Sequence, residues 1–363
     1  VTQSAEPSSG QKSGASYAAA GVDIEAGDRA VSLMRAWVEK TRRPEVVGGV
    51  GGFAGLFDAS ALRDYRRPLL ATSTDGVGTK VAIAQALDKH DTIGFDLVGM
   101  LVDDLVVCGA EPLFLTDYIA CGKVVPERIA AIVKGIAEAC VHAGCALVGG
   151  ETAEHPGLLS PGEYDVAGAT TGVVEADELL GPDRVRPGDV VVAMASSGLH
   201  SNGYSLVRHV LATTGRDLAE HVDDLGRTLG EELLEPTRVY AKDCLALNRE
   251  VDVHAMSHIT GGGLAANVAR VLPSGMRGMD VEMDRSTWTP PRICTLVGEW
   301  GQVEQSELER TLNMGVGMVA LVNANDADAA VGVLANRGIH AWIAGRVLAG
   351  EGSAHLTGSY GRS

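Results

Sequence analysis

Two acidic stretches carry residues that could do phosphate chemistry. The first is Thr74-Asp75-Gly76-Val77-Gly78-Thr79-Lys80, directly after the apolar run Leu69-Leu70-Ala71-Thr72-Ser73. Asp75 offers a hard carboxylate oxygen of the kind Mg²⁺ takes while keeping water and phosphate as its other ligands. Gly76 and Gly78 let the backbone turn and approach a ligand, Thr79 adds a hydroxyl, and Lys80 adds a positive charge to meet a phosphate. The G-x-x-x-x-G-K-[ST] spacing of a Walker loop is absent, and an ordinary turn between two elements has the same composition. The second stretch runs from Asp103-Asp104 to Gly109-Ala110-Glu111-Pro112. Carboxylates at the end of a helix oppose its dipole, so Asp104 and its neighbour call for a cation or a donor, or else form a solvated acidic edge.

Three further stretches could hold phosphate or metal. Ala146-Leu147-Val148 reads as a strand ending in Gly149-Gly150-Glu151-Thr152, where Glu151 is a third metal candidate or a turn glutamate. Ser196 to Gly203 lies between a strand at 189–195 and a helix beginning at Tyr204. That arrangement is an anion site, with His200, Ser201, Asn202 and Gly203 near free N–H groups. The pattern recurs at His258-Ile259-Thr260-Gly261-Gly262-Gly263 before a helix over 264–271. Consecutive glycines at a helix start are costly unless the backbone must approach something closely. His258 either faces that ligand or is a core histidine bonded to a carbonyl. Gly48 to Phe57 is too glycine-rich for a helix and too apolar for a free linker, which suits a lid closing through Phe53 and Phe57.

The elements that must position these residues alternate between strand and helix. Apolar residues at 93, 97, 98, 101 and 105 predict a buried helix over 92–107, capped by Asp91 or Thr92, with Asp96 and Asp103 on one face. Helices are also expected over 28–43, 126–142, 235–248 and 326–337, and strands over 113–120, 165–175, 313–320 and 341–347. Residues 1–16 read as a solvated tail, 17–175 as one domain, 176–347 as a second and 348–363 as a Gly/Ser-rich tail. The fold class is α/β of the α+β type in two domains.

Composition narrows the function. In 363 residues, 45% are hydrophobic, enough for two cores, and 46 are glycine, clustered in short loops. A net charge of -17 without a Lys/Arg stripe argues against a nucleic-acid partner. The six cysteines form no C-x-x-C pair, which suits free thiols in a reducing compartment. No signal segment or membrane-length apolar run is visible, so no membrane partner and a cytoplasmic location are expected.

The D-x-x-x-x-G-A-x-P pattern from Asp104 to Pro112, together with Asp75 to Lys80, resembles an ATP-binding superfamily. Its members include aminoimidazole ribonucleotide synthetases, thiamine-phosphate kinases, selenophosphate synthetases and formylglycinamidine synthetases. Tyr17 to Ile24 and Asn313-Met314-Gly315-Val316-Gly317-Met318 are similar to the motifs of the first of these, the cyclo-ligases, and the resemblance spans 17–347. It implies ATP-dependent ring closure of formylglycinamidine ribonucleotide to aminoimidazole ribonucleotide, with ADP and phosphate released, in purine (IMP) biosynthesis. It also implies Mg²⁺ on Asp75, Asp104 and Glu151, and ATP contacts from Gly76, Gly78, Thr79, Lys80, Gly150 and Thr152. Lys80 and His258 take the catalytic roles, and the loops at 200–203 and 260–263 cradle phosphate. A mixed sheet in the first domain is expected to form a barrel across a homodimer, and the second domain to pack helices on a sheet. Asp103, Leu199 and His155 stand where the family commonly has Asn, Pro and Met. A selenophosphate synthetase would need a reactive cysteine before Cys108, and a formylglycinamidine synthetase a longer chain. A kinase of the thiamine-phosphate type and a catalytically silent ATP-binding regulator remain as alternatives.

Overall fold

A computed structural model describes residues 21–49, 51–275 and 278–361. The proposed tail at 1–16, the start of the Tyr17 signature and Val50 of the glycine run lie outside the described residues.

The first domain is built on a four-stranded sheet in the order Pro68–Gly76, Tyr164–Glu175, Glu111–Cys121, Ala146–Glu154. The first two pairings are antiparallel and the last is parallel. The helices Ile93–Val106 and Pro126–Ala143 cover one face. These two helices touch through their backbones. A Cβ at Gly94 would lie 2.0 Å from Ile136 N, and one at Gly135 2.1 Å from Asp91 O. Only glycine permits that approach, and it sets how deep the helix carrying Asp96, Asp103 and Asp104 sits.

Within the described chain this sheet is open, with Pro68–Gly76 and Ala146–Glu154 as its edges, so the expected barrel does not close in one chain. The strands also run further than their apolar residues suggest. Asp75, Gly76, Gly150, Glu151 and Thr152 sit on strands instead of in loops, because pairing with long neighbours carries the ladder past the hydrophobic run. The glycine run is the tip of a small hairpin whose arms are Val46–Val47 and Leu56–Phe57.

The second domain is a six-stranded sheet in the order Val253–His258, Val316–Val322, Val190–Ala195, Ala341–Ala349, Met279–Asp284, Ala354–Thr357. Its second strand, Val316–Val322, is buried at every position, which explains its unbroken apolar sequence. The two faces of the sheet enter different cores: Val192, Met194 and Met318 pack into one, while Val191, Ala193 and Val319 pack into the other. The expected C-terminal tail instead supplies the last strand. Asp280 Oδ1 accepts from the backbone N–H of Glu351, Gly352 and Ser353 at 2.9, 3.1 and 2.8 Å, folding the chain back onto Met279–Asp284.

The helix expected from residue 235 begins at Ala241. The segment before it is irregular because its N–H groups are used elsewhere. Thr237 N donates to Asp96 and Tyr240 N to Asp103, across the boundary between the domains. Gly135→Ala should destabilise the protein by about 1–3 kcal/mol through overpacking at the helix crossing. Gly332→Ala, in the helix Ala327–Asn336 with nothing within 4 Å of the added carbon, should be neutral or stabilise by up to about 1 kcal/mol. Urea unfolding midpoints of the two variants check this.

Candidate active site

The structure gathers Asp75, Asp104 and His258 from three elements: a strand end, the last turn of a helix and a strand end. His258 is buried, and its Nδ1 lies 2.9 Å from Asp104 Oδ1. Burial pulls the His258 pKa down, but the hydrogen bond to Asp104 and the charges of Asp103, Asp104 and Asp75 outweigh it and leave the value raised. The His258 ring therefore already pairs with the helix-end carboxylate. Asp104 has a donor within the protein and need not await a cation, a pairing that its own stretch of sequence does not reveal. Asp75 is half-buried, and burial raises its pKa; the Gly76 N–H at 2.7 Å opposes the rise and the charge of Asp104 adds to it.

Glu151 does not join them. Along one row of the sheet Asp75 faces Gly168, Gly168 faces Asp117, and Asp117 faces Gly150. Three strand spacings, roughly 14 Å, separate Asp75 from Gly150 and its neighbour Glu151, so one ion cannot bind all three carboxylates within a chain. Among the described residues, no group of three or more His, Cys, Asp and Glu side chains could hold a metal. Asp75 and Asp104 alone fit Mg²⁺, which is satisfied by one or two carboxylates when phosphates and water complete its shell. Gly150, Glu151 and Thr152 instead line a cavity of about 560 Å³ under the glycine hairpin, with Phe53 and Asp117. Asp117 carries no local signature in the sequence, lying in the interior of the strand Glu111–Cys121. Its carboxylate lies 1.7 Å from where a Gly150 side chain would begin, and burial pushes its pKa up to about 7.

Lys80 is placed differently from the expectation that it meets a phosphate. Its ammonium is fully buried, donating to Asp96 Oδ1 at 2.7 Å, His200 O at 2.9 Å and Glu235 O at 2.7 Å. Those three acceptors use its three protons. Burial drives the Lys80 pKa down and the Asp96 pKa up, against the attraction between them. Nearby, Gly78 turns with φ of 74°, and Thr79 Oγ1 sits 3.2 Å from Ser205 Oγ on the second domain's helix Tyr204–Thr214.

The two glycine loops meet. A Cβ at Gly261 would lie 3.4 Å from Asn202 Oδ1, and the charge of His258 is felt at His200. His200 is a buried, neutral ring, its pKa pushed well down by burial and by the charges of His258, Lys80 and Arg238. Its Nε2 accepts from Ser197 N at 3.2 Å, while its Nδ1 is buried with no partner among the described residues. Gly317 leaves room for it, since a side chain there would meet His200 Cε1 at 2.6 Å. Ser201 is buried and Gly203 precedes the helix at φ of 80°. Thr260, Gly261 and Gly263 offer carbonyls to Asn267 Nδ2 at 3.2, 3.2 and 2.8 Å, and Gly262 has φ of 96°. Gly263 has a packing reason to be glycine: its Cβ would fall 1.8 Å from Glu309 O.

Residues 58–174 match the family described as AIR synthase related protein, N-terminal domain, and residues 186–357 match its C-terminal domain. A phosphoribosylformylglycinamidine cyclo-ligase of Anaeromyxobacter sp. (strain Fw109-5) is 53% identical over 93% of this chain and 97% of its own. The cyclo-ligase of Geobacillus kaustophilus (strain HTA426) is 51% identical over 94% and 98%. The chain belongs to the cyclo-ligase family. The cyclo-ligase fold extends to proteins of other names. Thiamine-monophosphate kinase from Stenotrophomonas maltophilia K279a superposes with a TM-score of 0.66 at 20% identity, covering 92% of this chain and 97% of its own. Hydrogenase maturation protein HypE in complex with ATP gives 0.63 at 20%, covering 91% of each.

Two substitutions test the buried charges. Lys80→Met strands the buried Asp96 carboxylate and should cost about 3–5 kcal/mol in unfolding free energy. Asp103 is buried, and burial raises its pKa to about 7 against the opposing His258 charge and Tyr240 N–H. Its folded pKa exceeds the unfolded one, so its contribution is full below about pH 4 and is lost as pH rises through about 7. Asp103→Asn should therefore stabilise at pH 8 by an amount on the order of a few kcal/mol and change little at pH 4, as read from urea melts at both pH values.

Proposed function

We propose that this enzyme closes the imidazole ring of aminoimidazole ribonucleotide from formylglycinamidine ribonucleotide, converting ATP to ADP and phosphate, as a cytoplasmic homodimer in purine biosynthesis. The observation that carries the reading is about 50% identity, across nearly the whole chain, to proteins named for that reaction. The meeting of Asp75, Asp104 and two glycine loops gives it a physical basis.

A formyl oxygen is a poor leaving group, so it is phosphorylated first. The amidine nitrogen then attacks the formyl carbon, the carbon–oxygen bond breaks and phosphate departs. No covalent intermediate with the protein is needed, and the chain supplies orientation, charge neutralisation and exclusion of water. Asp75 and Asp104 would hold Mg²⁺, which when bound neutralises charge on the ATP phosphates. His258 fixes the orientation of Asp104 through Nδ1, and the backbone at Ser201–Gly203 and Thr260–Gly262 would offer N–H donors to phosphate oxygens. Lys80 acts through the loop it holds at His200 O. The hairpin carrying Phe53 serves as the lid over the cavity lined by Glu151 and Thr152.

A second copy would cover the open sheet face, where Leu70 is 64% and Tyr118 41% exposed. Light scattering at micromolar concentration should report twice the chain mass, and full activity in a monomer would refute the dimer. ADP release should match formation of aminoimidazole ribonucleotide; ATP binding without ADP release in the presence of formylglycinamidine ribonucleotide would instead indicate a silent regulator. Asp104→Asn should remain folded, bind ATP with weaker Mg²⁺ dependence and lower cyclisation on the order of a hundredfold, while Asp103→Asn should be far milder. Calorimetric ATP titrations with and without Mg²⁺, alongside steady-state rates, check the difference.

A further inference from the structure

A cleft of about 610 Å³ opens between the domains, its lining separate from Asp75 and Asp104 and formed by Phe95 and His142 of the first domain and Ser197, Arg238, Lys242 and Arg337 of the second. Its charge is unlike that of the chain around it. Against the net -17 of the whole protein, Arg238, Lys242 and Arg337 face a single lining carboxylate, Asp243, which leaves a formal surplus of two positive charges. Three cations held close in an acidic protein repel one another unless an anion joins them.

Internal pairing leaves most of their donors over. Asp243 is engaged by Arg337 Nε at 2.6 Å and not by Arg238, whose own Nε is buried with no hydrogen-bond partner among the described residues. Lys242 Nζ donates to Val141 O at 2.9 Å, which accounts for one of its three protons. A buried guanidinium nitrogen without an acceptor costs free energy, and a planar fork of N–H groups is the side-chain geometry that best matches phosphate oxygens.

We propose that this cleft is an anion site for a phosphate group of charge about -2, with Arg238 as its principal ligand and Lys242 and Arg337 as flanking charges. The surplus charge matches a phosphate dianion, and the volume is within the range that holds a nucleoside monophosphate. The site is joined to a glycine loop through Ser197. The Ser197 hydroxyl accepts from Arg238 N at 3.1 Å, and Ser197 N donates to His200 Nε2 at 3.2 Å, next to Ser201. Binding of phosphate here does not depend on the ring-closing reaction.

The full chain is titrated by calorimetry at low ionic strength in a chloride buffer, with inorganic phosphate as one probe and adenosine monophosphate as the other. Wild type should bind at least one probe with one more equivalent, or with at least about tenfold tighter affinity, than Arg238→Met, which keeps the apolar stem and removes the fork. That difference from Arg238→Met seen with both probes assigns recognition to the phosphate group alone. The difference seen with the nucleotide only assigns it to a nucleotide 5′-phosphate, and either result supports the site. Equal stoichiometry and affinity in wild type and Arg238→Met for both probes would overturn it. If Arg238→Met unfolds below the assay temperature, Lys242→Met, at an exposed position, is judged by the same criterion.

Discussion

The buried pair of Lys80 and Asp96 is the contact on which the rest of the molecule depends. Both side chains are fully excluded from water, and each would cost several kcal/mol to bury alone. The cost is offset because Asp96 Oδ1 also accepts from Thr237 N at 3.1 Å and Thr237 Oγ1 at 2.5 Å, while Lys80 bonds two carbonyls of the second domain. Asp96 Oδ2 remains without a partner among the described residues, so the pair is not optimised for stability alone. Its yield is register: any sliding of one domain against the other would strand a buried charge. That fixes His200, and with it the loop at Ser201–Gly203, relative to Asp75.

The same helix makes a second attachment one span further along. Asp96 and Asp103 are seven residues apart, which is about 10.5 Å of helix rise, and Thr237 and Tyr240 are three residues apart, which is about 10 Å of extended chain. Two carboxylates on one helical stripe thus match two N–H groups on the segment 237–240. The shared face is legible in the sequence from the spacing of the acids. The partner is not, because periodicity describes one element and says nothing about which distant backbone group its polar residues will meet. Lys80 reads as a phosphate ligand for the same reason: its place after a glycine turn is visible locally, whereas its acceptors at His200 and Glu235 lie 120 and 155 residues away.

Glycine gives a mixed signal for a related reason. A glycine cluster marks a place where the backbone comes close to something, but the neighbour can be protein as readily as ligand. At Gly261 the neighbour is the Asn202 side chain of the other loop, which fits a shared binding surface. At Gly263 it is the carbonyl of Glu309, and at Gly94 and Gly135 it is another helix backbone. The alternation of strand and helix, the buried helix over 93–106 and the grouping of Asp75 with Asp104 could be read from sequence. The last strand could not, since Ala354–Thr357 depends on the Asp280 carboxylate gathering three N–H groups across 71–73 residues of separation.

Charge placement explains how the acidic groups of this region are compensated. Lys80, the lysine of this region, is sealed inside, and the carboxylates lie instead among two histidines in different settings. His258 is drawn toward the charged form by three surrounding aspartates, while His200, close by, is held neutral by burial and by the cations around it. Were both charged, their repulsion would oppose the close packing that Gly317 permits against His200. The opposed settings keep like charges from meeting where the strand end of Asp75, the helix end of Asp104 and the two glycine loops converge.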